Sequence, residues 1–189
     1  MKRRIAAAAP TLVLAILVGC QGGDAADPQV PATRYTPFET YGNDPRHPVV
    51  ATSEDLVART LETELERLIN TFRLDRDLEA LKVLPELKDL AMAHSIHMGL
   101  HEPAFFDHVS PEGHRPEDRA KEGRIDCRAI GENIAAGQSA AEAVFRSWLE
   151  SPSHLANLLD PRWTHMGAGH AYLPESPYVT YWTLDLIQR

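Results

Sequence analysis

Glu132 and His154 are the pair of side chains in this sequence best suited to acid–base or ligand chemistry. Glu132 lies in the run Gly131, Glu132, Asn133, Ile134, Ala135, and His154 follows Ser151, Pro152 and Ser153. One helix's worth of chain separates them, so a compact fold can aim a carboxylate and an imidazole into one cleft. His94, His97 and His101 fall three and four apart, which places ring nitrogens on one face of a helix. Such a face is either a metal site or a core His94 with two surface histidines. The zinc-protease pattern would need a second histidine where Phe105 stands after His101 and Glu102, and this favours the second reading. No GxSxG elbow, Cys–His nucleophile pair or phosphate loop occurs, so the residues offer a base and ligands but no nucleophile or oxyanion donor.

The elements that must position these groups follow from hydrophobic spacing. Ser53 with Glu54 and Asp55 reads as a helix start, and Val57, Leu61, Leu65, Leu68 and Phe72 recur at helical period, predicting a first helix to about residue 72. Residues 73–79 read as a solvated connector; Asp75, Asp77 and Glu79 alternate like a calcium loop, but Ala80 stands where that loop needs glycine. Pro85 opens a second helix with Leu87, Leu90, Ala91, His94 and Met98 on one face. Phe105 and Phe106 are expected to pin His108, and residues 115–122 to form a short polar helix closed by Gly123. Residues 130–136 predict a short strand, and Ala140, Val144, Phe145, Trp148 and Leu149 a third helix. Ser151 is expected to cap a fourth helix that begins at Pro152, with His154 in its first turn, where the helix dipole disfavours imidazolium. Residues 165–173 and 178–187 read as two closing strands, giving an α+β domain over 53–189.

Ahead of that domain the composition changes twice. Lys2, Arg3 and Arg4 precede an apolar run that ends at Gly19 and Cys20, and this reads as a lipoprotein signal peptide over 1–19 with Cys20 acylated. Residues 20–52, with Pro28, Pro31, Pro37, Pro45 and Pro48, read as a disordered tether in which Tyr35, Phe38 and Tyr41 carry no assigned function. Removing the three basic residues of the leader leaves 16 against 27 acidic ones, a charge of −11 that disfavours nucleic acid and anionic headgroups. Cys127 is then the sole cysteine of the domain besides the anchor and reads as a small buried hydrophobe. The expected location is the cell envelope, outer membrane if the host has one, because Gln21 follows Cys20 where an aspartate would signal inner-membrane retention.

Several ordered motifs together resemble one known family. Phe106, Asp107, His108; Gly131, Glu132, Asn133, Ile134, Ala135; Trp148; Ser151, Pro152, Ser153, His154; Asn157, Leu158, Leu159; and Met166, Gly167, Ala168, Gly169 resemble the bacterial branch of the CAP superfamily, the SCP-like domains. Leu68, Ile69, Asn70 with Phe72 and Arg73 resembles its first helix, and Tyr181, Trp182, Thr183 its last strand. The resemblance implies a three-layer α-β-α sandwich whose cleft holds His108, Glu132 and His154, with Glu150 as a second acid. Glu150 lies two residues after Trp148, whereas the animal and plant members have their acid three after the tryptophan.

Three readings stay open at this point, one of them a purely structural or adhesive role that would need neither histidine. Two imidazoles, His108 and His154, predict weak, exchangeable binding of Zn2+ or another divalent cation, since a catalytic zinc normally has three protein ligands. With such an ion, Glu132 would be the general base of a metal-assisted, peptidase-like hydrolase. Otherwise Glu132 ties the cleft together, and the domain is a non-enzymatic module for a lipid, glycan or protein partner, the reading favoured by the missing nucleophile.

Overall fold

The computed structural model describes residues 12–18, 53–101 and 103–189. The expected tether and the acylation site at Cys20 lie outside the described residues, as does most of the expected leader. Its segment Leu12–Val18 forms a strand, β1.

The first helix, α1, runs Ser53–Leu74, and α2 spans Pro85–Leu100 after a two-residue strand, β2 (Lys82–Val83). A short helix α3 (Pro116–Glu122) leads into β3 (Ala129–Ala136), followed by α4 (Ala141–Glu150) and α5 (Pro152–Leu159). β4 (His165–Tyr172) and β5 (Thr180–Gln188) close the chain. The sheet order is β1-β3-β5-β4-β2, antiparallel throughout except for the β2–β4 pair.

Alternation along the strands sorts side chains into two cores. Trp182, Leu184 and Leu186 of β5, with Met166 and Ala168 of β4, meet Leu65, Ile69 and Phe72 of α1 and Val144, Trp148 and Leu158 of α4 and α5. On the opposite face Ile130 and Ile187 meet Leu87 and Leu90 of α2 and Ala120 of α3, and Ile134, Ala136 and Tyr181 meet Met98. The domain is an α+β sandwich of three layers, helices over both faces of the sheet, as the sequence predicts.

Two close approaches set the spacing of the layers. A Cβ on Gly167 or Gly169 would run into the backbone of α2 at Leu87–Lys88 and Ala91–Met92, so only glycine lets that helix lie flat on β4. Past the short β2, the outer edge of β4 is covered by side chains of α1. Glu66 accepts from Ala168 N (3.3 Å) and Glu62 from His170 N (3.1 Å), while Lys88 Nζ lies 3.3 Å from both carboxylates. Burial pushes both acids up, and the Lys88 ammonium opposes it.

The connector after α1 departs from expectation. Arg73 is fully buried, and its guanidinium donates to the carbonyls of Glu79 (2.9 Å), Leu158 (2.9 Å) and Asp160 (3.0 Å). It therefore satisfies the last carbonyls of α5, which have no partner within the helix. Cys127 is only half-buried, against the cluster that contains Leu87 and Ile130, because it sits in the irregular lead-in to β3.

Candidate functional site

The centre of the site is Glu132, fully buried in the middle of β3. Consecutive strand residues point to opposite faces, so Glu132 reaches the α2–α3 layer and Asn133 the α4–α5 layer. His108 Nδ1 donates to Glu132 Oε1 at 2.7 Å, and Arg119 Nη2 donates to Glu132 Oε2. The other terminal nitrogen of Arg119 donates to the carbonyls of His108 (2.8 Å) and His114 (3.1 Å), so one guanidinium holds both the acid and the loop carrying the histidine. His94 donates through Nε2 to the Asp107 carbonyl at 3.1 Å and lies 4.0 Å from Glu132 Oε1.

The electrostatics follow from this crowding. Burial opposes the ionised form of Glu132, but the Arg119 guanidinium, with His94 and His108, outweighs it and holds the carboxyl well below its ordinary range. Asp185 is the direct cross-strand neighbour of Glu132 and is also fully buried. Burial first, and then the Glu132 carboxylate beside it, pushes Asp185 well above the usual carboxylate range. The two acids thus divide the roles: Glu132 carries the charge that Arg119 balances, and Asp185 keeps its proton where an ordinary aspartate has lost it. Burial likewise pushes His94 down to about 3.

His154 enters from the other side of β3. Its backbone carbonyl accepts from Asn133 Nδ2 at 3.3 Å, and Asn157 Nδ2 donates to Asn133 Oδ1 (2.8 Å) and to the Glu132 carbonyl (3.2 Å). The His154 ring stacks on Trp148 with centroids 6.4 Å apart, and its Nδ1 lies 2.7 Å from Ser151 Oγ. Ser151 occupies the N-cap position of α5 but makes no side-chain cap bond; its hydroxyl is spent on orienting the imidazole.

Of the residues singled out in the sequence, the structure therefore joins His108 directly to Glu132 and reaches His154 through Asn133 and Asn157. Glu150 is exposed at the end of α4, outside the buried group. Phe105 packs edge-on against His97 and His101 rather than against His108, and Phe106 lies against Tyr178. His97 is buried rather than at the surface. Sequence reasoning missed Arg119 and Asp185. Arg119 carried one signal, since it stands on a seven-residue helix otherwise made of Pro, Ala and solvated charges, yet nothing local marked it as inward-facing.

The family model for the cysteine-rich secretory proteins matches residues 66–186, which includes every residue of this group. The chain belongs to the CAP family. Among the proteins it resembles is Bacillus subtilis YkwD, described as an uncharacterized protein, 35% identical over 109 residues, which is 58% of this chain and 42% of that one. The SCP-domain protein of Bacillus anthracis, described as extracellular, superposes with a TM-score of 0.64 at 27% identity, covering 74% of this chain and 45% of that one. An outer surface protein of Borrelia burgdorferi shares the fold, with a TM-score of 0.62 at 21% identity over 74% of this chain and 96% of that one. The chain thus spans less than half the length of the two Bacillus relatives. No described helix is long and apolar enough to cross a membrane.

Proposed function

We propose that this CAP-family chain is an exported, lipid-anchored envelope module that binds a ligand beside the His108–Glu132–Arg119 group without turning it over. The observation that carries the reading is the full engagement of Glu132: one carboxylate oxygen accepts from His108 and the other from Arg119. A general base near neutral pH needs a pKa close to the working pH and a free lone pair facing substrate. Glu132 is held far on the acidic side and faces a guanidinium. That disfavours the alternative, a metal-assisted peptidase with Glu132 as base.

The joint site for Zn2+ or another divalent ion expected of His108 and His154 is not carried forward, because His108 bonds Glu132 on the α2–α3 side of β3 while the His154 ring stacks on Trp148 on the α4–α5 side. His108 fits a ligand role, because its Nε2 is buried with no hydrogen-bond partner among the described residues while Nδ1 is fixed on a carboxylate. That single imidazole falls short of the three ligands of a catalytic zinc.

The ligand is a lipid, a glycan fragment or a protein partner, and one relationship favours the protein class. The apolar segment Leu12–Val18 lies antiparallel along the outer edge of β3, with Ile16 opposite Glu132. Cleavage before Cys20 would remove it and leave that edge for an extended peptide segment. The extracellular and outer-surface descriptions of the two structural neighbours support export. Native mass spectrometry of full-length protein extracted gently from its own membrane should reveal a copurified ligand mass. A bare protein mass, together with peptide hydrolysis abolished by Glu132→Gln in a folded variant, would overturn the binding reading. Cys20→Ser should move the protein out of the membrane fraction, and continued sedimentation would rule out the anchor.

A further inference from the structure

We propose that His97, His101 and Glu112 form a second, separate divalent-metal site, of the borderline class represented by Zn2+, at the surface where α2 ends. Among the described residues these three bring one ligand atom each within 4.8 Å of one another. His97 and His101 lie one helical turn apart, and Glu112 approaches from the turn of residues 110–114, closed by Gly113 N donating to Ser110 O at 2.8 Å with Gly113 at φ +88°.

The distances favour an ion over a simple contact. His97 Nε2 and His101 Nε2 lie 3.4 and 3.6 Å from Glu112 Oε1. Both exceed a normal N–H···O hydrogen bond of about 2.7–3.2 Å. They match the edge of a tetrahedron about a metal with bonds of about 2.0–2.2 Å, which is about 3.3–3.6 Å. The supporting contacts are those a ligand needs. His101 Nδ1 lies 2.9 Å from the Pro103 carbonyl, which can only accept, so that nitrogen carries a proton and Nε2 is the atom left for an ion on the Glu112 side. Phe105 holds both rings edge-on, with centroids at 5.1 Å from His97 and 5.6 Å from His101. His97 is nearly buried while the Glu112 side chain is 38% exposed, so an ion has both an anchored ligand and a way in.

Three protein ligands leave a fourth position for water or a small donor, the open arrangement of exchangeable rather than sealed sites. The site lies outside the cleft of the preceding proposal and does not depend on it. The test is titration of the full-length chain with Co2+, read by its visible d–d absorption, and with Zn2+ by calorimetry, with circular dichroism as the folding control. Wild type and the His108→Ala, His154→Ala variant should both take up an equivalent with tetrahedral Co2+ bands. Glu112→Gln and His101→Ala, both at partly exposed positions that leave the core intact, should each weaken that uptake by at least about tenfold. No saturable uptake by wild type would overturn the site. So would wild-type affinity in Glu112→Gln and His101→Ala, or uptake lost only when His108 and His154 are replaced.

Discussion

Arg119 and Glu132 form an ion pair in which both side chains are wholly shielded from solvent. Their mutual attraction balances two desolvation penalties, so removing either partner leaves a buried charge without compensation. Arg119→Met should therefore cost about 3–5 kcal/mol, measured by urea unfolding. The double variant Arg119→Met, Glu132→Gln should recover part of that loss, because the stranded carboxylate is gone. A single variant within about 0.5 kcal/mol of wild type would mean the pair holds nothing together.

Histidine burial makes stability depend on pH. Burial pushes His170, which lies against Trp182, down to about 4 in the folded chain, against about 6.5 when unfolded. The unfolded chain thus binds the extra proton between those values, so this contribution is complete above about 6.5 and is lost as pH falls to about 4. Asp185 works in the opposite sense, because its raised folded pKa makes the native state the better proton binder. Comparing wild type with His170→Leu isolates the histidine. Their difference in unfolding free energy should shift by about 1.4 kcal/mol per pH unit across that window, and a pH-independent difference would refute the assignment.

The contact of α2 with β4 predicts a sharp steric effect. Gly169→Ala drives a methyl into the backbone of Ala91 and Met92, which cannot rotate away as a side chain would. A loss of about 3 kcal/mol or more is expected, at the upper end of overpacking costs. Thermal unfolding reads it, and an unchanged midpoint would show that the layers can separate freely.

Arg73 links the end of α1 to the end of α5 through three carbonyls. Arg73→Met should destabilise by about 2–3 kcal/mol and speed hydrogen exchange in the last turn of α5 before the rest of the domain. Equal protection in both proteins would separate Arg73 from that helix end.

The order of elements was legible because amphipathic periods and breakers agree along most of this chain. Pro85, Gly123 and Pro152 mark the boundaries of α2, α3 and α5 as expected. Glu132 was singled out by its motif, and in the structure it accepts directly from His108. Arg73 and Arg119 were not, since a guanidinium goes inward when carbonyls or a carboxylate await it, and those partners are supplied by distant chain. For Arg73 one such carbonyl lies 85 residues away. Asp185 stood in the last strand without any local sign of its role, because its behaviour depends on a cross-strand neighbour. His97 and His101 carried ligand spacing from the start, but the carboxylate facing them depends on how the 110–114 turn folds back.

β3 presents an acid to one helical layer and an amide to the other at adjacent positions. A one-residue slip against β5 would exchange them, setting Glu132 among tryptophans and Asn133 against Arg119. Homologous chains can therefore lengthen or shorten their loops, but an insertion inside this strand would abolish the charge balance and the histidine geometry together. Within those eight residues, spacing is as strictly constrained as chemistry.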